Sequence, residues 1–115
     1  MPTLTEGRHT AEFLLSEANG YQSREQVVLS SAAAALSAGT LLGKITATGK
    51  YVAYSNGAAD GSQTVAGILY ANAPDSAADQ KVTIIARNAE VKGTSLTGSD
   101  APGLVDLAAI GIIVR

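Results

Sequence analysis

The stretch LLGKITATGKYVAYSNGAADGSQTVAGILY, residues 41–70, carries the pattern that decides the fold. It predicts a strand, a turn around Gly49, a second strand, a loop and a third strand. The loop contains an Asn-Gly and an Asp-Gly dipeptide, which are strong turn signals. Residues 64–70 are mostly apolar, which indicates a strand that is buried on both faces.

Downstream of this stretch, residues 81–87 (KVTIIAR) give the clearest strand signal in the chain. Residues 88–93 (NAEVKG) predict an extension of that strand. The chain ends in GIIVR, which predicts a last strand.

A short helix is predicted just before the last strand, over PGLVDLAAIG at residues 102–111. Ser99 or Asp100 could cap it, and Pro102 is tolerated in its first turn. We expect one face of the helix to bury an apolar set: Leu104, Leu107, Ala108 and Ile110.

Upstream, residues 26–29 (QVVL) predict the start of a strand because they contain tandem β-branched residues. Residues 30–39 (SSAAAALSAG) are ambiguous. Alanine favours a helix, but so short a segment is marginal on its own, so one or two helical turns or an extended turn both fit.

Composition limits the classes of protein to consider. The 115 residues fit one domain, and 46% are apolar, but much of this is alanine and only 4% of the chain is aromatic. Such a core buries modest area, so stability is expected to depend in part on an oligomer interface. The net charge of -2 and the scattered charges argue against a nucleic-acid partner. No apolar run approaches the about 18 residues of a membrane span, so no membrane partner is expected.

The usual chemistry of enzymes is not predicted. There is no cysteine, and His9 is the only histidine, so neither a metal site nor a Ser–His–acid set is expected. Turn and cap roles account for the aspartates of the loops. We therefore predict no catalytic residues, no cofactor and no enzymatic activity.

The N-terminal stretch EGRHTAEFLLSEANGYQSRE, residues 6–25, is a polar leader that contains a short apolar plug at residues 13–15. This composition predicts an N-terminal arm over residues 1–25 and a single β-rich domain over residues 26–115. The alternative is that the plug packs on its own domain as an ordinary first strand.

The leader, residues 38–70 and the ending LAAIGIIVR together resemble the head decoration proteins of tailed phages, the family of phage lambda's protein D. The resemblance covers most of the chain and is most specific over residues 41–69. It implies a mainly β fold with a short C-terminal helix, an incomplete, β-clip-like barrel and a flexible N-terminal arm.

The resemblance also implies a function. Such proteins bind the outside of the expanded head as trimers, at threefold and quasi-threefold sites, and stabilise it against the pressure of packaged DNA. The expected partners are the major capsid protein and further copies of the chain itself. The expected location is the outer surface of the virion, after synthesis in the host cytoplasm.

In this interpretation the leader is a docking arm whose extended part pairs with an open strand edge of the capsid protein. The predicted capsid-binding residues are Glu6, Gly7, Arg8, His9, Thr10, Glu12, Phe13, Leu14 and Leu15.

Two alternative functions compete with this interpretation. A small trimeric nucleotide hydrolase on a β-clip scaffold would need a G-x-[IV]-D-x-x-Y-x-G stretch, which the sequence lacks. A tail or fibre module would usually be longer and rich in repeats, and this chain has no repeat.

Overall fold

A computed structural model describes residues 9–17, 22–30, 35–74 and 78–115. In these ranges the chain forms strands, one short 3-10 turn and one α-helix. In chain order they are β1 (Leu14–Glu17), β2 (Arg24–Leu29), β3 (Leu41–Lys44), β4 (Tyr51–Ala53), β5 (Val65–Leu69), β6 (Gln80–Ile85), β7 (Ala89–Val91), the 3-10 turn (Gly93–Ser95), α1 (Ala101–Ala109) and β8 (Ile112–Val114).

The strands form a closed barrel and a separate three-stranded sheet. The barrel order is β2-β4-β3-β5-β6, and the sheet order is β1-β7-β8. Closure of the barrel depends on one parallel pair, Leu29 with Tyr51, whereas β2 and β6 pair along six residues. The predicted mainly β fold with a short C-terminal helix is confirmed, and the barrel that was expected to be incomplete closes through this single pair.

Adjacent apolar residues on the barrel strands enter two different cores, because successive side chains of a strand point to opposite faces. The inner core receives Leu29, Leu42, Tyr51, Leu69 and Ile84, one from each barrel strand. The outer core lies between the barrel, the three-stranded sheet and α1, and it contains Phe13, Leu41, Tyr54, Val65, Ile68, Ile85, Ala89, Val91, Leu96, Leu107 and Ile112. The expected two-sided burial of β5 is confirmed.

A bulge in β5 changes which of its residues enter the outer core. Leu42 pairs with Gly67, but the next residue of β3, Gly43, pairs with Val65, so Ala66 is left without an opposite residue. A bulge of this kind inserts one residue into the alternation. Val65 and Ile68 therefore both reach the outer core although they are three positions apart.

Gly43 allows β3 to pass directly beneath the loop between β4 and β5. A Cβ atom at this position would lie 2.5 Å from both the Cα and the carbonyl oxygen of Ser62. Backbone atoms cannot move aside as a side chain can, so only glycine fits this close approach.

Two local predictions need correction or a limit. Residues 88–93 do not extend β6, because Asn88 adopts a positive φ of 53° and directs the chain into β7 of the other sheet. Of the ambiguous stretch 30–39, residues 31–34 lie outside the described residues. The described part contains a bridge between Leu36 and Ala73, which favours the extended turn over a helix for residues 35–39.

The predicted helix is confirmed, but its predicted buried face is wrong in part. Leu107 is buried, whereas Leu104 and Ala108 are exposed. The other buried position is Gly103, where an added Cβ would lie 3.2 Å from Cε2 of Tyr54. Because this glycine lets the helix approach the barrel closely, the helix packs through Gly103 and Leu107, and Leu104 is rotated toward solvent.

The first strand connects the N-terminal segment to the outer core. Phe13 is 0% exposed and belongs to that core, and β1 pairs with β7. The backbone of Phe13 is also held, since its carbonyl accepts a hydrogen bond from the Lys92 amide at 2.7 Å. Residues 14–17 and 24–25, which the sequence assigned to the arm, thus lie within the sheets, and Phe13 lies in the outer core.

We expect Phe13→Ala to lower the free energy of unfolding by about 3–5 kcal/mol, because it leaves a cavity in the outer core. Leu15→Ala is the matched control. Its side chain is 52% exposed, so the expected change is within about 0.5 kcal/mol. Urea denaturation of both variants tests this, and equal effects would contradict the assignment of Phe13 to the core.

Candidate functional site

The N-terminal segment attaches to the body of the protein at Ala11. Its amide donates a hydrogen bond to the Tyr70 carbonyl oxygen at 2.8 Å, and its φ of 57° turns the chain sharply. The Glu12 amide bonds to the His9 carbonyl at 3.1 Å and the Leu14 amide to the Ala11 carbonyl at 3.0 Å. These contacts fold residues 9–14 into a turn that is attached to Tyr70.

The structure divides the predicted capsid-binding residues into three groups. Glu6, Gly7 and Arg8 lie outside the described residues. Exposed positions in the turn and on β1 are His9, Thr10, Glu12 and Leu15. Phe13 is buried and Leu14 is partly buried against the outer core. The structure therefore brings two of these side chains into the fold and leaves four at the surface.

A cluster of four residues, which we call the clasp, lies next to this attachment point: Glu17, Ser23, Arg24 and Tyr70. The Glu17 carboxylate accepts a hydrogen bond from Nη2 of Arg24 at 2.5 Å and one from the Ser23 hydroxyl at 2.5 Å. The single Nε–H of Arg24 is shared between the two carboxylate oxygens, each at 3.1 Å. The Arg24 guanidinium lies 4.5 Å from the centre of the Tyr70 ring. Hydrogen bonding from Arg24 holds the pKa of Glu17 below its ordinary value.

A second candidate surface lies on α1 and the adjoining strand β8. All the exposed residues of α1 are apolar and uncharged: Ala101, Pro102, Leu104, Val105, Ala108 and Ala109. Val105 is 69% exposed, Leu104 41%, and Ile113 of β8 52%. We call Leu104, Val105, Ala108 and Ile113 the C-terminal apolar surface. A helix that faces water normally carries charged or polar residues there, so this surface is suited to contact with another protein.

The two acidic side chains at α1 hold the helix against the barrel. Asp100 caps its first turn, accepting from the Gly103 amide at 2.7 Å, and also accepts from the Tyr54 hydroxyl at 2.9 Å. Asp106 accepts from the Val65 amide at 3.0 Å. Burial, together with the hydrogen bond to Asp100, raises the pKa of Tyr54 to about 12. These contacts determine which face of α1 is exposed.

Other kinds of site receive no support from the described part of the chain. Among those residues, no group of three or more His, Asp or Glu side chains could hold a metal ion. No helix in the described ranges has the length and apolarity needed to cross a membrane.

The fold is a small β-barrel that carries a three-stranded sheet and a helix with an uncharged exposed face. The chain belongs to the family described as Bacteriophage lambda head decoration protein D, which it matches over residues 3–112. Membership supports a role in decorating a phage capsid, and it implies binding to the capsid and a place on the virion. A comparison with curated proteins finds no match.

Sequence reasoning missed the clasp, and it predicted that Leu104 and Ala108 of the C-terminal apolar surface would be buried. Glu17 and Arg24 are seven residues apart in the polar leader, and the polar composition there predicts solvated charges. At the helix, the adjacent residues Leu104 and Val105 could have indicated an exposed apolar surface, because a single amphipathic stripe cannot bury both.

The ionisation of Tyr54 should make stability depend on pH. Its folded pKa of about 12 lies above its ordinary value of 10.0. Its contribution is therefore complete below pH 10 and is lost as the pH rises through 10 to about 12. Urea denaturation across this range should show a smaller decline for Tyr54→Phe than for the wild type. A phenolate absorbance titration supplies the check, because Tyr54→Phe should remove a transition at the high end of the range. An unchanged titration would contradict the assignment.

Proposed function

We propose that this protein is a cementing protein of the phage head. It binds the outside of the expanded shell as trimers at threefold and quasi-threefold sites and stabilises the shell against the pressure of packaged DNA. The observation that carries the proposal is the family match across residues 3–112. The expected partners are the major capsid protein and two further copies of the chain, with no catalytic role. Synthesis in the host cytoplasm and a final place on the outer capsid surface belong to the same proposal.

The N-terminal segment is the proposed capsid contact. Because Phe13 is buried in the protein's own core, the contact is assigned to residues 1–12 together with the exposed Leu15. His9, Thr10 and Glu12 of the predicted set remain at the surface for this purpose. Docking in extended form would use main-chain hydrogen bonds to a strand edge of the capsid protein for affinity and side chains for register.

The outer edge of β1 supports this mode of binding. In the described part of the chain, β1 is an edge strand that pairs with β7 alone. Open strand edges are ready templates for pairing with another chain. An extended capsid segment could therefore pair with β1 beside Leu15 while the preceding residues reach further across the shell.

The C-terminal apolar surface is the proposed contact between protomers. In a threefold assembly each protomer presents one patch to a different patch of its neighbour, and the ring closes after three copies. Closure of the ring buries the apolar area of this patch on every protomer. Removal of that area from water stabilises the trimer. Leu104, Val105 and Ile113 supply the largest exposed side chains of this patch.

The docking role predicts that capsid binding depends on the residues ahead of the turn. We would use a full-length variant in which residues 3–8 are replaced by a Gly-Ser sequence of equal length, called the arm-replaced variant. It should co-sediment with expanded shells that lack the protein at least about tenfold more weakly than the wild type, because side-chain contacts are lost. Wild-type protein should not bind unexpanded shells.

Matched thermal unfolding of the two proteins controls for folding. Equal binding of both would contradict the arm, and absence of binding by the wild type would contradict the decoration role itself.

The trimer proposal predicts that a charge placed on the helical face separates the protomers. Val105→Glu should shift the trimer to monomers in sedimentation equilibrium, because a carboxylate would be buried without a partner. Ala59→Glu makes the same change in charge on an exposed loop and should leave the trimer intact. A trimeric Val105→Glu protein would show that the interface lies elsewhere.

A further inference from the structure

The clasp joins segments that are distant in the chain. Glu17 ends β1 in the three-stranded sheet, Arg24 begins β2 in the barrel, and Tyr70 follows β5. Ser23 adds a link to the barrel, since its carbonyl accepts from the Ala86 amide at 2.8 Å. The clasp thus fixes the crossing of the chain from one sheet to the other.

Tyr70 also connects the clasp to the N-terminal segment. Its ring lies beneath the Arg24 guanidinium, and its carbonyl accepts the hydrogen bond from the Ala11 amide. Its own amide donates to the Thr83 carbonyl at 3.0 Å, which ties it to β6. The hydrogen bond that holds Ala11 is therefore accepted by the residue whose ring Arg24 covers.

The contacts of the clasp are of the strong kind. The guanidinium and carboxylate form several hydrogen bonds in a fork geometry, and charge-assisted bonds are roughly twice as strong as neutral ones. The two side chains are 30% and 17% exposed, so water screens them only in part. By contrast, the pair of Lys50 with Asp79 is a single contact between more exposed side chains.

We propose that Glu17 and Arg24 are positioning residues for capsid binding, which act through Tyr70 to hold Ala11 in place. This inference rests on the proposed docking function of the N-terminal segment. The position of Ala11 decides where the segment ahead of it starts, and therefore which capsid groups that segment can meet. A fixed starting point also lowers the entropy lost on docking.

A purely structural ion pair would show the same contacts but would behave differently when removed. It would lower the stability of the whole domain and affect every function alike. If the pair has a positioning role, its removal should affect only the N-terminal segment. Two measurements can therefore distinguish a positioning role from a structural one.

The first measurement is amide hydrogen exchange in the free protein. Arg24→Gln should speed the exchange of the Ala11 amide about tenfold, because Tyr70, whose carbonyl accepts the Ala11 hydrogen bond, keeps its link to Thr83 but loses the guanidinium that covers its ring. The Ile84 amide in the barrel should be unchanged. Lys50→Gln, which removes an ion pair elsewhere, should alter neither. Unchanged exchange at Ala11, or equal acceleration at Ile84, would overturn the positioning role.

The second measurement is a double-mutant cycle in binding to expanded shells, which isolates the coupling between two sites. Arg24→Gln should weaken binding of the full chain about tenfold. In the arm-replaced variant the same substitution should have a much smaller effect, because most of the contacts that depend on the position of Ala11 have already been removed. Tyr70→Leu, which removes the ring but keeps the carbonyl, provides a second variant should Arg24→Gln fold poorly.

The outcomes separate this inference from the proposed function. If Arg24→Gln weakens binding equally in both backgrounds, the clasp is structural only and the docking arm stands. If the arm-replaced variant itself binds as the wild type does, the docking arm fails and the positioning role fails with it.

Discussion

Two-sided burial of the barrel strands is the constraint on which the rest of the structure depends. Each of β3, β5 and β6 contributes to an inner core within the barrel and to an outer core beneath the three-stranded sheet and α1. Leu41 and Leu42 illustrate the division, since they are neighbours in sequence and enter different cores. A chain with few aromatic residues gains enough burial in this way, because the same strands exclude water on both faces. Phe13 and Leu107 close the outer core from opposite ends of the sequence.

This arrangement explains why the two proposed partner surfaces lie where they do. The outer core needs Phe13, so the plug of the N-terminal leader is held by the domain, and the Ala11 amide is bonded to the Tyr70 carbonyl. The same core needs Leu107, while Asp100 and Asp106 attach the helix to the barrel. Because this face of α1 packs against the barrel, Leu104 and Val105 are exposed to solvent. The positions of the two surfaces proposed to bind partners thus follow from the packing of the outer core.

Much of the architecture could be predicted from the chain. Period-two patterns, Asn-Gly and Asp-Gly turns and continuous apolar runs located the strands of residues 41–70 and 81–87, and the cap and proline at residues 100 and 102 located the helix. The family resemblance was also visible in these residues, and the match over residues 3–112 confirms it. The errors arose where a single backbone position changed direction. Asn88 sends the chain to the other sheet, and Gly103 turns a different helical face toward the core.

The sequence by itself determined the class of fold and the absence of cysteine chemistry, because these follow from composition and short-range pattern. It also carried the resemblance to a capsid decoration family, which the match over residues 3–112 confirms. Only the tertiary structure decided that Phe13 belongs to the domain's own core, that Glu17 and Arg24 meet over Tyr70, and that α1 presents an uncharged face. Local pattern records whether a residue is apolar or charged, but not which distant surface it meets. That choice depends on contacts between segments far apart in the chain, such as residue 24 with residue 70, which exist only once both cores have formed.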